Sequence, residues 1–265
     1  MSSDAAGAGS GLPDLPDIDD RLVEPETPYE MYDGELVRVP PSDPPHAERQ
    51  LQLGALIEAH TGLGFEAASD LLTRTSRIDD IAPDVSVYPA ARDPRTGRRQ
   101  LEQLAFEVVS TQSLANAARK AAKLTGRGVR RVFAIDVERS RALEWSAALG
   151  SWSMLDATGH ITDPALEVPL PIAAVIHSAK ADDAVARALA AKRNPVIEAI
   201  RAESRAEGVA EGKAEAVVAL LAIRGVSLER VERDRILGER DLARLERWLA
   251  RAISCVSVAE LLADP

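Results

Sequence analysis

The sequence predicts an α/β fold, with a mixed sheet and helices packed against it, followed by a helical C-terminal region. One observation is a strand, helix and strand within residues 104–137, which is the order of a right-handed βαβ unit. The other is the absence of strand-like alternation after residue 182. We therefore expect a disordered tail over residues 1–26, a folded domain over residues 27–178 and a helical region over residues 179–265.

Turn and strand signals define the first half of the chain. Residues 1–26 are rich in Ser, Gly, Pro and Asp and have few apolar residues, which is typical of a disordered tail. The dipeptide Asp33-Gly34 is a turn signal, and residues 35–39 alternate like a strand. A helix is expected over about residues 46–60, where apolar residues recur near helical spacing.

The central part of the chain contains most of the predicted strands. A turn is expected at residues 78–80, and Ser113 is expected to cap a helix that ends near Thr125. A hairpin around Gly150 is expected to close the domain. The predicted strands cover residues 71–75, 85–88, 104–109 and 130–137.

Regular spacing of charged and apolar residues predicts the C-terminal helices. Four glutamates recur every four residues over residues 203–215, with Gly208 and Gly212 between them. Each glycine costs a helix roughly 1 kcal/mol relative to alanine, so this helix is expected to be flexible or supported by a partner. A last helix over residues 241–253 has one apolar face. We expect these helices to form a helical hairpin or an element for a homodimer or larger oligomer.

Composition excludes several functional classes. Aromatic residues make up 3% of the chain, so stacking on bases is not its main binding mode. The single Cys255 excludes an internal disulfide and a cysteine-rich zinc site. The sequence has no signal peptide at its start and no run of about 18 apolar residues, so we expect a cytoplasmic protein without membrane contact.

Charge is distributed unevenly along the chain. The net charge of −10 argues against a general nucleic-acid coat protein. Residues 92–131, however, contain ten basic and three acidic residues, a net charge of +7. Such a segment can bind a phosphate backbone. The alternative is a solvated helix face next to a charged loop.

Two carboxylates occur inside apolar, strand-like runs. Asp84 follows Pro83 at the head of one run, and Glu107 lies within the next. A buried carboxylate is unfavourable unless it is compensated, and a divalent metal with Lys120 on the following helix could compensate both. Hard oxygen ligands, including the carbonyl of Val108, suit Mg²⁺. Taken singly, Asp84 could be a turn residue and Glu107 could pair with Arg131.

These residues resemble the PD-(D/E)XK nuclease superfamily. More closely, the chain resembles a bacterial restriction-endonuclease (Uma-type) domain family of unknown function. The similarity covers roughly residues 28–160. Its motifs here are Asp33-Gly34-Glu35-Leu36, Pro41-Ser42-Asp43-Pro44 with His46, Pro83-Asp84-Val85, and Glu107-Val108-Val109-Ser110.

The resemblance implies a restriction-endonuclease-like core, DNA as the substrate, and Mg²⁺ or Mn²⁺ held by Asp84 and Glu107. Glu48, on the first helix, is a further candidate ligand, and His46 could contact phosphate or metal or be structural. The usual lysine two residues after the glutamate is Val109 here. Lys120 on the next helix matches that role best, with Lys123 as the alternative.

The sequence thus predicts a Mg²⁺-dependent endonuclease, with Asp84, Glu107 and Lys120 as catalytic residues. The alternative is a catalytically inactive nuclease fold that binds nucleic acid or protein, which the Val109 substitution favours. We expect Asp84→Ala to abolish cleavage, because it removes a metal ligand. We expect the fold to stay intact or to become more stable, because the change removes repulsion between two nearby carboxylates.

Overall fold

A computed structural model describes residues 15–110, 114–177 and 180–263 of the chain. It divides into two compact units, residues 1–192 and residues 193–265. The helices of the first unit are α1 (Pro44–His60), α2 (Leu114–Arg127), α3 (Ile172–Ile176) and α4 (Ala181–Ala191). Its strands are β1 (Tyr29–Tyr32), β2 (Glu35–Arg38), β3 (Phe65–Ser69), β4 (Thr73–Arg74), β5 (Asp80–Ile81), β6 (Val85–Pro89), β7 (Leu104–Val109), β8 (Arg131–Asp136), β9 (Arg141–Ser146), β10 (Ser151–Met154), β11 (His160–Ile161) and β12 (Leu170–Pro171).

A six-stranded mixed sheet organises the first unit, in the order β10-β9-β8-β7-β6-β3. Its neighbouring strands are antiparallel except for β7 and β8, which are parallel and are joined through α2. The predicted α/β class, with its mixed sheet and βαβ unit, is confirmed. A second sheet has the order β2-β1-β5-β4, and β11 and β12 form a two-stranded sheet.

The central strand β7 has buried side chains on both faces of the sheet. Phe106 and Val108 belong to the core that includes Leu56 of α1. Ala105, on the opposite face, packs with Leu124 of α2. Because successive strand residues alternate between faces, Glu107 points to the α2 side.

The N-terminal segment differs from the predicted tail. Residues 1–14 lie outside the described part of the chain, but Ile18 and Val23 are buried. The backbone N–H groups of Leu22 and Val23 donate to Oδ2 of Asp80, whose side chain has no solvent exposure. A buried carboxylate requires donors, and residues 15–26 supply them. Asp80 is therefore a buried strand residue rather than the expected turn residue.

Other elements also depart from the predicted boundaries. The strand β3 is not expected from the sequence. Of the strand expected at residues 71–75, only Thr73–Arg74 pairs with a neighbouring strand. The expected cap Ser113 lies outside the described residues. The first unit extends beyond residue 178 because α4 packs against α1 and adds Ala181 and Ala184 to the core.

The second unit is a small helical bundle of α5 (Pro195–Ile223), α6 (Arg230–Leu237), α7 (Leu242–Arg251) and α8 (Val258–Leu262). Its core surrounds Trp248, with Val217, Leu221 and Leu245. The side chain of Asn194 caps α5 by accepting from the N–H of Val196 at 3.0 Å. Within the described ranges, no helix is both long and apolar enough to cross a membrane.

Candidate active site

A cavity of about 810 Å³ opens in the first unit beside β6, β7 and α2. Part of its wall is the segment at residues 21–30, which places the N-terminal region next to the predicted catalytic residues. The side chains that matter for its chemistry are Glu30, His46, Asp84, Glu107, Ser110 and Lys120.

Asp84 lies just before β6, where that strand runs beside β7. Its Oδ2 accepts a hydrogen bond from the peptide N–H of Val108 at 2.5 Å. Oδ1 lies 3.4 Å from Nε2 of His46. The N–H and C=O of a strand residue point to the same side, so the Val108 carbonyl also faces the Asp84 side of β7. Asp84 and this carbonyl are thus brought to one edge of the cavity.

Glu107 is buried within β7 and points towards α2. Its Oε2 lies 3.2 Å from Nζ of Lys120. Its Oε1 is buried and has no hydrogen-bond partner in the part of the chain that the structure describes. The alternative pairing with Arg131 does not occur, because Arg131 binds Glu144 with an Nε–Oε1 distance of 2.6 Å.

Lys120 reaches the cavity from α2. Its Nζ donates to the carbonyl of Ala82 at 2.7 Å and lies 3.2 Å from a carboxylate oxygen of each of Glu107 and Glu30. Lys123, one helical turn later, instead pairs with Asp33 and Asp79 at 2.7 Å each and does not line the cavity. The geometry therefore favours Lys120 as the lysine of this site.

Glu30 also lines the cavity, although it is not among the residues predicted from the sequence. Its Oε1 accepts from the N–H of Ala82 at 2.8 Å, and its Oε2 accepts from the hydroxyl of Tyr32 at 2.9 Å. Glu30 could have been found from the sequence, because it is an acidic residue inside a short strand-like run before Asp33-Gly34. Asp84 and Glu107 show the same pattern. We call Glu30, Asp84, Glu107 and Lys120 the acidic cluster.

The acidic cluster holds more acidic groups than basic ones. Burial raises the pKa of Glu107 well above its usual range, and the charges of Asp84 and Glu30 add to this effect while Lys120 opposes it. Burial disfavours the charged form of Lys120, but Glu107 and Glu30 outweigh burial and raise its pKa. Both pKa shifts indicate that an added positive charge would stabilise the ionised carboxylates of the cluster.

His46 stands at the start of α1. The side chain of Asp43 accepts from the N–H of His46 at 2.9 Å and from the hydroxyl of Ser110 at 3.2 Å, which ties α1 to the end of β7. The hydrogen bond to Asp84 raises the pKa of His46, although burial acts in the opposite direction. The side chain of His46 thus contacts a candidate metal ligand, and its backbone takes part in the cap of α1.

Glu48 is not brought to the cavity. On α1, His46 and Gln50 face Asp84, and Nε2 of Gln50 donates to its carbonyl at 3.2 Å. A residue midway between two positions four apart lies on the opposite face of a helix, so Glu48 points away and is exposed. Its predicted role as a metal ligand has no geometric support.

The cavity has the donors for a hard divalent cation, though not a complete cage. Among the described residues, no three His, Cys, Asp or Glu side chains are grouped to hold a metal ion. Two carboxylates and the Val108 carbonyl remain, and Mg²⁺ keeps several waters when few protein ligands are present. The unpartnered Oε1 of Glu107 fits such an ion, because a buried carboxylate oxygen normally has a partner.

Most of the predicted basic patch is paired within the protein. Beyond the two lysines already described, Arg98 binds Asp20 at 2.6 Å and Arg99 binds Glu102 at 2.9 Å. Arg130 pairs with Asp163. The segment at residues 92–131 is therefore less available to phosphate than its sequence charge indicates.

Comparisons with known proteins give one family match and one similar solved structure. A family model described as Uma2, putative restriction endonuclease, matches residues 13–172, which is more than half of the chain. The crystal structure of a putative nuclease belonging to DUF820 from Anabaena variabilis is 17% identical, with a TM-score of 0.48. That alignment covers 58% of this chain and 93% of the other chain. No curated protein matches the sequence.

Proposed function

The chain belongs to the Uma2 family of putative restriction endonucleases, and on this premise we propose that it is a Mg²⁺-dependent endonuclease that hydrolyses phosphodiester bonds in DNA. Mn²⁺ would be accepted at the same site, since its ligand preferences are similar. The family supports nuclease chemistry in general, and the arrangement of the acidic cluster supports the metal and the catalytic residues.

One observation carries the proposal. A buried carboxylate oxygen of Glu107 has no hydrogen-bond partner among the described residues, and Asp84 lies beside the same strand. Burying three carboxylates with one lysine gives little stability, because the desolvation penalty exceeds what one ion pair returns. A cation-binding function accounts for this arrangement.

Each residue of the cluster then has a defined task. Bound Mg²⁺ would supply an activated water and stabilise negative charge on the phosphate. Asp84, Glu107 and the Val108 carbonyl would hold the ion. Lys120 would stabilise the charge that develops on the phosphate oxygens.

Lys120 replaces the usual lysine for a structural reason. Val109, at the position of that lysine, packs in a core cluster with Ala117 and Leu143. The end of β7 is thus committed to the core. Lys120 approaches Glu107 from α2 instead, so a lysine ammonium group on the following helix takes the place of one on β7.

The test combines metal binding with cleavage. We would titrate Mg²⁺ and Mn²⁺ calorimetrically, with and without DNA, and follow cleavage of supercoiled plasmid. The wild type would be compared with Asp84→Asn combined with Glu107→Gln, substitutions that keep side-chain shape. We expect binding and cleavage in the wild type and neither in the variant.

The other outcomes separate the alternatives. DNA binding without cleavage under any metal would support the catalytically inactive nuclease fold, which the Val109 substitution favours. Metal binding that persists in the double variant would reject the acidic cluster as the site. A chain that binds neither metal nor DNA would reject the proposed function.

A further inference from the structure

A second cavity, of about 270 Å³, lies next to the first, between β1–β2 and α2. We call the larger one the main cavity and this one the side cavity. Lys120 and Arg38 line both of them, as do Glu30, Val39 and Pro40. A ligand that contacts Lys120 in the main cavity therefore has the side cavity as its immediate neighbour.

The lining of the side cavity is suited to an anion. Arg38, Arg119 and Lys120 are cationic, and Asn116 adds an amide group. Among the described residues that line the side cavity, Glu30 is the one acidic residue, and both of its oxygens already bind other groups. The side cavity thus has an excess of positive charge, in contrast to the acidic cluster beside it.

Arg119 is held in position by an aromatic ring. Its guanidinium carbon lies 4.4 Å from the ring centroid of Tyr32, a cation–π distance that leaves the N–H groups at its edge available. Asp33 lies 3.9 Å from this guanidinium, but it pairs more closely with Lys123, at 2.7 Å. Arg119 is therefore held at the cavity, and in the described part of the chain its one ion pair is the long contact with Asp33.

Arg38 is the less constrained of the two arginines. It ends β2, in which all four residues are exposed. Its guanidinium forms no hydrogen bond or ion pair with any residue of the described ranges, unlike the arginines at positions 98, 99, 130 and 131. An unpaired arginine between two cavities can bind a phosphate without first breaking an internal contact.

We propose that the side cavity binds the backbone phosphate next to the one that is cleaved, with Arg38 and Arg119 as its cationic contacts. This inference rests on the proposed function and extends it to the substrate's neighbouring nucleotide. A polynucleotide carries a phosphate at every nucleotide. Lys120 lines both cavities, so a phosphate bound next to the reacting one would lie in the side cavity. The side cavity is smaller than typical small-molecule pockets of about 300–1,000 Å³, which suits a single sugar-phosphate unit.

The salt dependence of DNA binding tests this assignment. Binding of a fluorescent duplex would be measured by anisotropy between about 50 and 200 mM salt. Divalent cations would be left out of the buffer so that the duplex is not cleaved. We expect Arg38→Ala to reduce the slope of log K against log salt by about 0.9, the loss of one phosphate contact. Arg119→Ala should have a similar effect. In cleavage assays Arg38→Ala should raise KM with little change in kcat.

The matched control is Arg95→Ala, which removes the same charge from an exposed loop that lines neither cavity. Its slope should equal that of the wild type, whereas an equal loss at Arg95 would indicate diffuse attraction and overturn the proposal. Inorganic phosphate that binds the wild type but not Arg38→Ala, and that does not displace DNA at constant ionic strength, would assign the cavity to free phosphate and also overturn it.

Failure of this inference is distinguishable from failure of the proposed function. A wild type that binds and cleaves DNA, with unchanged slopes in Arg38→Ala and Arg119→Ala, overturns only the phosphate site. A wild type that neither binds nor cleaves overturns both. Arg38→Ala should keep the wild-type Tm, since this exposed side chain forms no hydrogen bond or ion pair with the described residues.

Discussion

Oδ2 of Asp84 accepts a hydrogen bond from the peptide N–H of Val108 at 2.5 Å, which joins the residue just before β6 to the C-terminal end of β7. The carboxylate predicted to bind metal therefore also pairs a buried backbone group. This changes the outcome expected from the sequence, where removal of Asp84 was expected to relieve repulsion and to leave the fold intact or more stable.

Asp84→Ala should now abolish cleavage and also destabilise the first unit. The Val108 N–H would remain buried without its acceptor, which costs roughly 1–3 kcal/mol. Asp84→Asn keeps an oxygen acceptor and should lose cleavage with a smaller loss of stability. Thermal unfolding of both variants measures this difference. Equal stability of Asp84→Ala and the wild type would show that the hydrogen bond contributes little.

Lys120→Ala should lower both turnover and stability. Lys123→Ala should lower stability, because the buried Asp79 loses its cation, but it should leave turnover nearly unchanged. Without Lys120, the buried Glu107 and Glu30 lose their shared cation, a change that typically costs about 3–5 kcal/mol. Added Mg²⁺ should restore part of the lost stability in Lys120→Ala, because it compensates Glu107. Single-turnover cleavage and thermal unfolding would be compared. A larger loss of turnover in Lys123→Ala would reject Lys120 as the active-site lysine.

The stability of the metal-free protein should depend on Glu107. Burial raises its pKa above the usual 4.5, so the folded chain binds this proton more tightly than the unfolded chain. The resulting stability is present below pH 4.5 and is lost as pH rises towards the folded pKa. His46, whose pKa is raised from 6.5, acts in the same direction at higher pH.

We therefore expect the free energy of unfolding of metal-free wild type to fall, relative to Glu107→Gln, as pH rises above about 4.5. Saturating Mg²⁺ should reduce this decline, because it stabilises the ionised carboxylate. Denaturant unfolding across pH, with and without the ion, provides the measurement. Parallel pH profiles of the two proteins would mean that Glu107 is not perturbed.

Glu48→Gln should leave divalent-metal affinity unchanged, since Glu48 is exposed on the face of α1 opposite His46. Glu107→Gln, the same chemical change in the cavity, should lower the affinity by at least tenfold. Calorimetric titration of both variants tests the pair. A comparable loss of metal affinity in Glu48→Gln would show that Glu48 is a metal ligand after all.

Oligomerisation through the C-terminal helices stays a prediction. The first half of α5 exposes Val196 and Ile200, one helical turn apart. We expect a mass that increases with concentration in the wild type, and a monomer when both residues are changed to glutamate. Val231→Glu, at an exposed apolar position on α6, is the control. A wild type that stays monomeric at all concentrations would contradict the prediction.

Local sequence patterns were sufficient for the centre of the fold. The strands at β6, β7 and β8 were predictable because buried strands are continuous apolar runs, and the helix between β7 and β8 follows from the crossover rule. The family assignment from the motifs around Asp84 and Glu107 is confirmed. In contrast, β3 lacks a clear alternation, and its pairing with β6 depends on the neighbouring strand.

The site was predictable only in part, for a similar reason. Asp84 and Glu107 could be found because each interrupts an apolar run. The role of Glu30 depends on β1 lying near Ala82 and Lys120, which are about 50 and 90 residues away in the chain. The interactions of residues 15–26 with Asp80 likewise join segments that are distant in sequence.

The sequence by itself determined the fold class, the family and two candidate metal ligands, because these depend on residue type and local periodicity. Only the tertiary structure shows that Lys120 rather than Lys123 lines the cavity, that Glu48 points away from it, and that most of the basic residues pair with internal acids. These outcomes depend on which side chains lie within a few ångströms after folding, a distance that spacing along the chain does not specify.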